Sequence, residues 1–151
     1  MDRKRILLVE DNDDHVLLMR RALGQLNEPY AVDVARDGAE AVDMLLPQDV
    51  PEGRDVLPLP DVVLLDLKLP KLHGFEVLRR LRAHKRTKLL PVVILTSSDE
   101  ASDIARGYSE GANSYLCKPV DFNEFVELVR YVGTYWLSLN EPVRTQKGWS
   151  V

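Results

Sequence analysis

Three short runs in this chain contain no polar residue, and each stops at a carboxylate or a hydroxyl. Ile6-Leu7-Leu8-Val9 leads into Glu10 and Asp11, Val62-Val63-Leu64-Leu65 into Asp66, and Val92-Val93-Ile94-Leu95 into Thr96. A strand with one wet face alternates apolar and polar residues. A strand apolar throughout is buried on both faces, the condition of a parallel sheet covered by helices on both sides. A fourth, weaker run, Ser114-Tyr115-Leu116-Cys117, delivers Lys118 and then Pro119.

The segments between these runs have the helical period. Val16, Met19, Leu23 and Leu26 recur along Asp13 to Leu26, with Asp13 placed as a cap. Residues 30–35 alternate as an edge strand does, and a helix from Asp37 to Leu46 is ended by Pro47. Residues 47–60 carry four prolines and little periodicity. Connections in α/β units usually take about 2–6 residues, so this stretch reads as an insertion loop inside one domain. A strand at 61–65 precedes a helix that starts near Gly74 and presents Phe75, Leu78 and Leu81 on one face. Strand 92–95 is followed by a helix over 99–110, ended by Gly111. Strand 114–117 is followed by a last helix from Asp121 to Leu137, with Phe122, Phe125, Val126, Val129, Val132 and Trp136 at helical spacing. Five such units with right-handed crossovers make a doubly wound sandwich, whose ligands sit at the carboxyl ends of the strands. The domain spans 1–138 and leaves a tail, 139–151, too short for an attached DNA-binding module.

The chain has 151 residues, 45% of them hydrophobic and 29% charged, as a single folded domain does. Its net charge of -4 argues against a nucleic-acid-binding surface. Arg79, Arg80, Arg82 and Lys85 read as the solvated face of a helix. No apolar run approaches the roughly 20 residues that span a bilayer. The basic start, Met1 to Arg5, precedes only a strand-length apolar run, so a cytoplasmic location is expected. Cys117 is the single cysteine and reads as a small buried hydrophobe in a reducing compartment.

The strand ends carry the chemistry. Asp66 sits where a strand becomes a loop, and a carboxylate there can attack phosphorus to form an aspartyl phosphate. The attack must overcome repulsion between the carboxylate and the phosphoryl oxygens, and must accommodate charge spread over the equatorial oxygens. A hard divalent cation, Mg²⁺, meets the first need; Glu10 and Asp11 supply further carboxylates and the Lys68 backbone carbonyl one more ligand. Lys118 can pair with a phosphoryl oxygen as a compact point charge, and Thr96 can donate its hydroxyl to another. A cis bond before Pro119 is expected to aim Lys118 inward. Each residue alone has an ordinary reading: Glu10 and Asp11 as a solvated helix start, Thr96 as a helix-start hydroxyl, Lys118 as surface. Their coincidence at the ends of central strands favours a site. His15, His73 and His84 lack zinc-ligand spacing; His15 could lie near the site as a helix-face residue, but a surface role is the expectation.

The ordered set Leu8-Val9-Glu10-Asp11, Leu65-Asp66 with Pro70 and Gly74, Leu95-Thr96-Ser97, and Lys118-Pro119 resembles the receiver domain of two-component response regulators over residues 5–137. That resemblance implies a flavodoxin-like (βα)5 sheet of order 2-1-3-4-5, a topology for which a receiver serves as the general illustration. It implies Mg²⁺ at Glu10 and Asp11, phosphate acceptance by Asp66 from a kinase histidine, and phosphoryl contacts from Thr96 and Lys118. Tyr115 falls where receivers carry an aromatic switch that turns inward when the hydroxyl residue engages phosphate. Ser97 departs from the small Ala or Gly of many receivers. The insertion before Asp61, Leu64-Leu65-Asp66-Leu67-Lys68-Leu69-Pro70-Lys71, and the ending Tyr135-Trp136-Leu137-Ser138-Leu139-Asn140 look like stand-alone receivers that partner bacterial phytochrome histidine kinases.

The expectation is therefore a phosphoacceptor switch with protein partners and no membrane contact, not a turnover enzyme. A homodimer through the fourth helix, fifth strand, fifth helix and tail is expected from Tyr135, Trp136, Leu137 and Leu139; Trp149 lies in that tail. Two rivals stand beside it. A phosphohydrolase of the haloacid-dehalogenase type would want a second Asp two residues after Asp66, where Lys68 stands. A receiver-like adaptor would never accept phosphate.

Overall fold

A computed structural model describes residues 3–27, 29–48 and 58–143. Strand and helix alternate as β1 Lys4–Val9, α1 Asp13–Leu23, β2 Tyr30–Ala35, α2 Gly38–Leu45, β3 Val62–Leu65, α3 Gly74–Ala83, β4 Val92–Thr96, α4 Ala101–Ser109, β5 Ser114–Cys117 and α5 Phe122–Thr134, with a π-helical turn at Tyr135–Leu139. The five strands form one parallel sheet of order β2-β1-β3-β4-β5.

Side chains alternate across a strand, so each apolar run feeds two cores. Ile6, Leu8, Val62, Leu64, Val93 and Leu95 pack with Met19 and Leu23 of α1 and Phe125 and Val129 of α5. Leu7, Val9, Val63, Leu65, Val92 and Ile94 pack with Leu45 of α2 and Phe75, Leu78 and Leu81 of α3. Burying one such side chain contributes about 1.5–3 kcal/mol, so both helical layers are held by the same strands. Register then sets the chemistry: Val9 pairs with Leu65, Leu65 with Ile94, and Thr96 with Cys117, which aligns the carboxyl ends of β1, β3, β4 and β5.

Several details differ from expectation. The cap of α1 is Asn12, whose side chain accepts from the N–H groups of Asp14 at 2.9 Å and His15 at 3.1 Å, while Asp13 is the first helical residue. That helix stops at Leu23, and Leu26 reaches the core from the turn beyond it. Arg82 is not a solvated residue. Its guanidinium donates to the carbonyls of Gly111 at 2.9 Å and Thr87 at 3.0 Å and to Asn113 Oδ1 at 3.0 Å. Gly111 ends α4 with φ 107°, where a side chain would be strained and would press on Arg82.

Cys117 is exposed, not buried, because β5 is an edge strand whose last residue lies beyond the helical cover. The bond before Pro119 is trans, as are all peptide bonds of the described residues, which corrects the expected cis turn. Strand pairing already delivers Lys118, whose N–H donates to the Thr96 carbonyl at 2.7 Å, and trans is favoured by about 0.5–1 kcal/mol. Leu137 belongs to the chain's own core, whereas Tyr135 and Leu139 are exposed. Most of the expected insertion, residues 49–57, and Trp149 lie outside the described residues. Among the described residues no helix is long and apolar enough to cross a membrane.

Candidate functional site

Four strand ends meet at one edge of the sheet. Glu10 follows β1 and Asp66 follows β3, and the Asp66 N–H donates to the Val9 carbonyl at 3.0 Å. Thr96 closes β4 and Lys118 follows β5. Glu10, Asp66 and Thr96 are the buried polar residues of this edge, at 1%, 8% and 0% exposure. Asp11 is exposed beside them, and Glu10, Asp11 and Asp66 can each offer a carboxylate oxygen with all three within 4.8 Å of one another. Three hard oxygen donors gathered this closely fit a divalent cation. Lys68 is exposed on the loop two residues beyond Asp66.

That loop turns back tightly. A Cβ on Gly74 would lie 2.5 Å from the Asp66 carbonyl oxygen and 2.7 Å from Leu67 Cα, so only glycine lets α3 begin here. The Gly74 N–H donates to the Leu67 carbonyl at 2.8 Å, and the Leu67 N–H donates to Asp66 Oδ1 at 2.8 Å. One carboxylate oxygen of Asp66 is thus oriented by backbone, and the other faces Lys118.

Lys118 Nζ donates to Glu10 Oε1 at 2.5 Å and to Asp66 Oδ2 at 3.1 Å, and lies 2.9 Å from His15 Nδ1. Burial pushes the Glu10 carboxyl up to about 7, with the Asp66 charge adding to the rise and Lys118 opposing it. A carboxylate so placed ionises at a cost that a bound cation would offset. Thr96 presents the opposite case: its hydroxyl is buried with no hydrogen-bond partner. Buried polar atoms are nearly always paired, so an orphan at a strand end marks a place for an incoming oxygen.

Tyr115 is turned inward, and its hydroxyl donates to the Ser98 carbonyl at 2.9 Å. Ser98 in turn donates to Asp103 Oδ2 at 2.6 Å, tying the loop after β4 to α4. The ring is seated by Gly107, where a Cβ would come within 3.0 Å of Tyr115 and 2.9 Å of Ile94.

His15 is the residue that sequence reasoning misplaced. It stands on the first turn of α1, four residues after Asp11 and five after Glu10. It lies 3.8 Å from Glu10 Oε1 and packs on Phe125 of α5, with ring centroids 5.3 Å apart. Burial, followed by the Lys118 ammonium, lowers its pKa below the usual imidazole value. The spacing was the available signal; the partner Lys118, 103 residues away, was not visible in it.

The response regulator receiver domain model matches residues 6–130. The chain is 42% identical over 135 residues to the probable methanogenesis regulatory protein FilR2 of Methanothrix harundinacea, covering 89% of this chain and 84% of that one. It is 34% identical to response regulator Rcp1 of Synechocystis, covering 89% of each. The crystal structure of the Mn²⁺-bound form of Rcp1 superimposes with a TM-score of 0.85 at 32% identity, covering 93% of this chain and 99% of that one. The bacteriophytochrome response regulator AtBRR superimposes with a TM-score of 0.67 at 42% identity, covering 93% and 100%. With that match spanning both cores and the whole acidic edge, the chain belongs to the response regulator receiver domain family.

Proposed function

We propose that this chain is a single-domain response regulator that accepts a phosphoryl group from a kinase histidine onto Asp66. The observation that carries this reading is one sheet edge holding a nucleophilic carboxylate, an ammonium 3.1 Å from it and a buried hydroxyl without a partner. In the transfer, an Asp66 oxygen forms a bond to phosphorus as the phosphorus–nitrogen bond to the donor imidazole breaks. The bonding pair returns to the imidazole nitrogen. Lys118 and Thr96 neutralise and hold the phosphoryl oxygens. Glu10, Asp11, Asp66 and the Lys68 backbone carbonyl would hold Mg²⁺, which supplies positive charge against the repulsion between carboxylate and phosphoryl oxygens.

Engagement of Thr96 pulls on the loop that carries Ser98, and through Tyr115 and Asp103 biases α4 and β5. Lys68 at the position of a second acid supports a switch over a phosphohydrolase. Exposed Leu17 on α1 and Val120 and Phe122 at the start of α5 offer an apolar rim for a kinase helix, α1 being packed on α5. Likeness to the bacteriophytochrome response regulator AtBRR supports a phytochrome kinase as that partner. Exposed Tyr135 and Leu139 support a homodimer through α4, β5, α5 and the tail.

The test is incubation with a small phosphodonor and Mg²⁺ followed by intact mass. A single phosphoryl adduct on the wild type and none on Asp66→Asn is expected. No adduct on either would leave the adaptor reading, and turnover of many phosphomonoesters would favour the hydrolase. Phosphotransfer from a labelled phytochrome kinase tests the partner. Sedimentation of a monomer with and without a phosphoryl analogue would remove the dimer.

A further inference from the structure

We infer that His15 is a positioning residue for Lys118, the third acceptor that holds the ammonium over Asp66 and so sets the rate of phosphoryl acceptance. The inference rests on the phosphoacceptor reading of Asp66. An ammonium has three N–H donors and no acceptor. Lys118 spends them on Glu10 Oε1 at 2.5 Å, Asp66 Oδ2 at 3.1 Å and His15 Nδ1 at 2.9 Å. The first two acceptors are also offered to a cation. Their oxygens can be drawn away from Lys118 whenever such an ion is bound. His15 Nδ1 is the acceptor outside that carboxylate set, so it tethers the ammonium when the others turn.

The ring is built to do this. The His15 N–H is capped by Asn12 Oδ1 at 3.1 Å, and the imidazole lies against Phe125, a residue with 2% exposure. Helix α1 fixes its root and α5 fixes its plane, while β5 brings Lys118 to it. Because an ammonium can only donate, Nδ1 must offer its lone pair, and the ring proton sits on Nε2. A surface histidine would have neither a fixed tautomer nor a buried neighbour.

Two variants separate positioning from packing. His15→Leu keeps an apolar side chain against Phe125 and removes the acceptor. His15→Asn keeps an acceptor oxygen close to the Nδ1 position. The full chain is phosphorylated with a small phosphodonor, and the maximal rate, the half-saturating donor concentration and the Mg²⁺ affinity are measured apart. His15→Leu is expected to lower the maximal rate about tenfold, the scale of one hydrogen bond to a charged group, with the other two constants unchanged. His15→Asn should recover most of the rate.

Nitrogen NMR of labelled His15 supplies a readout that does not depend on phosphorylation. The wild type should show the Nε2–H tautomer, and Lys118→Met should lose that preference. The inference falls if His15→Leu is phosphorylated at the wild-type rate. It falls equally if His15→Asn is as slow as His15→Leu, or if the tautomer is mixed in the wild type. A fixed tautomer in a protein that takes no phosphoryl group would retain the pairing and sink the reading of Asp66 instead.

Discussion

Two polar side chains at the same sheet edge are satisfied in opposite ways. Lys118, after β5, has all three ammonium donors within reach of acceptors, two of them carboxylates. Thr96, one strand inward at the end of β4, has a buried hydroxyl with none. The β1–β5 half of the site is closed on itself, and the β4 half is left waiting. A site divided this way gains from an anion at the waiting half, which would draw Lys118 off its two carboxylates while His15 still holds it, and would fill the unused hydroxyl at once. Under the proposed function, one small ligand would in this way move a loop and a helix.

The comparison breaks most visibly at Lys118. Lys118→Met keeps an unbranched side chain, one atom shorter, and removes the ammonium. Phosphorylation by a small phosphodonor, followed by intact mass, should slow about 100-fold or more, the scale of a lost charge-stabilising donor. An unchanged rate would mean that the closed half takes no part in the chemistry.

Thr96→Val probes the other half with a side chain of the same shape. Because the hydroxyl is unpaired in the resting protein, the variant should melt at or slightly above the wild type, with a gain of about 1 kcal/mol. Its phosphorylation should nevertheless slow about tenfold, the scale of one lost hydrogen bond to a charged group. A loss of stability would show that the hydroxyl has a resting partner.

Glu10 gives the comparison a pH dependence. Burial raises its folded-state value from 4.5 to about 7. Its contribution to stability is therefore full below the unfolded value near 4.5 and is lost as pH rises through about 7. Glu10→Gln removes that loss. Without divalent cation, the variant should melt about 3–6 °C above the wild type near pH 8, and the two should converge towards pH 5. The same titration opposes a cation, so calorimetric Mg²⁺ affinity of the wild type should fall between pH 8 and pH 6.

The smallest effect is expected at Tyr115. Tyr115→Phe deletes one hydrogen bond to the Ser98 carbonyl, worth about 1 kcal/mol, and should lower the melting temperature by about 2–4 °C. The rate of phosphoryl acceptance should stay near that of the wild type, because the Tyr115 hydroxyl is spent on the Ser98 carbonyl. A large rate change would place Tyr115 in the site itself.

Much of this molecule was legible before folding was considered. Unbroken apolar runs such as Val62 to Leu65 carry their own burial requirement, and a residue that ends such a run must lie at the sheet edge. Glu10, Asp66 and Thr96 were found in this way, and Lys118 from a weaker, mixed run, Ser114 to Cys117. Boundaries were less legible: Asn12, not Asp13, caps α1, because capping depends on where the backbone leaves the extended region. The exposure of Cys117 depended on its being the last residue of edge strand β5, although Tyr115 on the same face is buried. Arg82 read as surface because its acceptors, Gly111 and Asn113, lie 29 and 31 residues away.

The chain by itself determined the α/β class, the helical layers and the identity of the residues at each strand end, because those follow from local periodicity and from the wetness of strand termini. Only the tertiary structure decided who meets whom. It joined Lys118 to His15 across 103 residues, set Tyr115 on Ser98, left the Thr96 hydroxyl alone and kept the bond before Pro119 trans. The reason is physical: distance through space is set by sheet register and helix docking, which sum contacts over the whole chain, and no window of the sequence contains that sum.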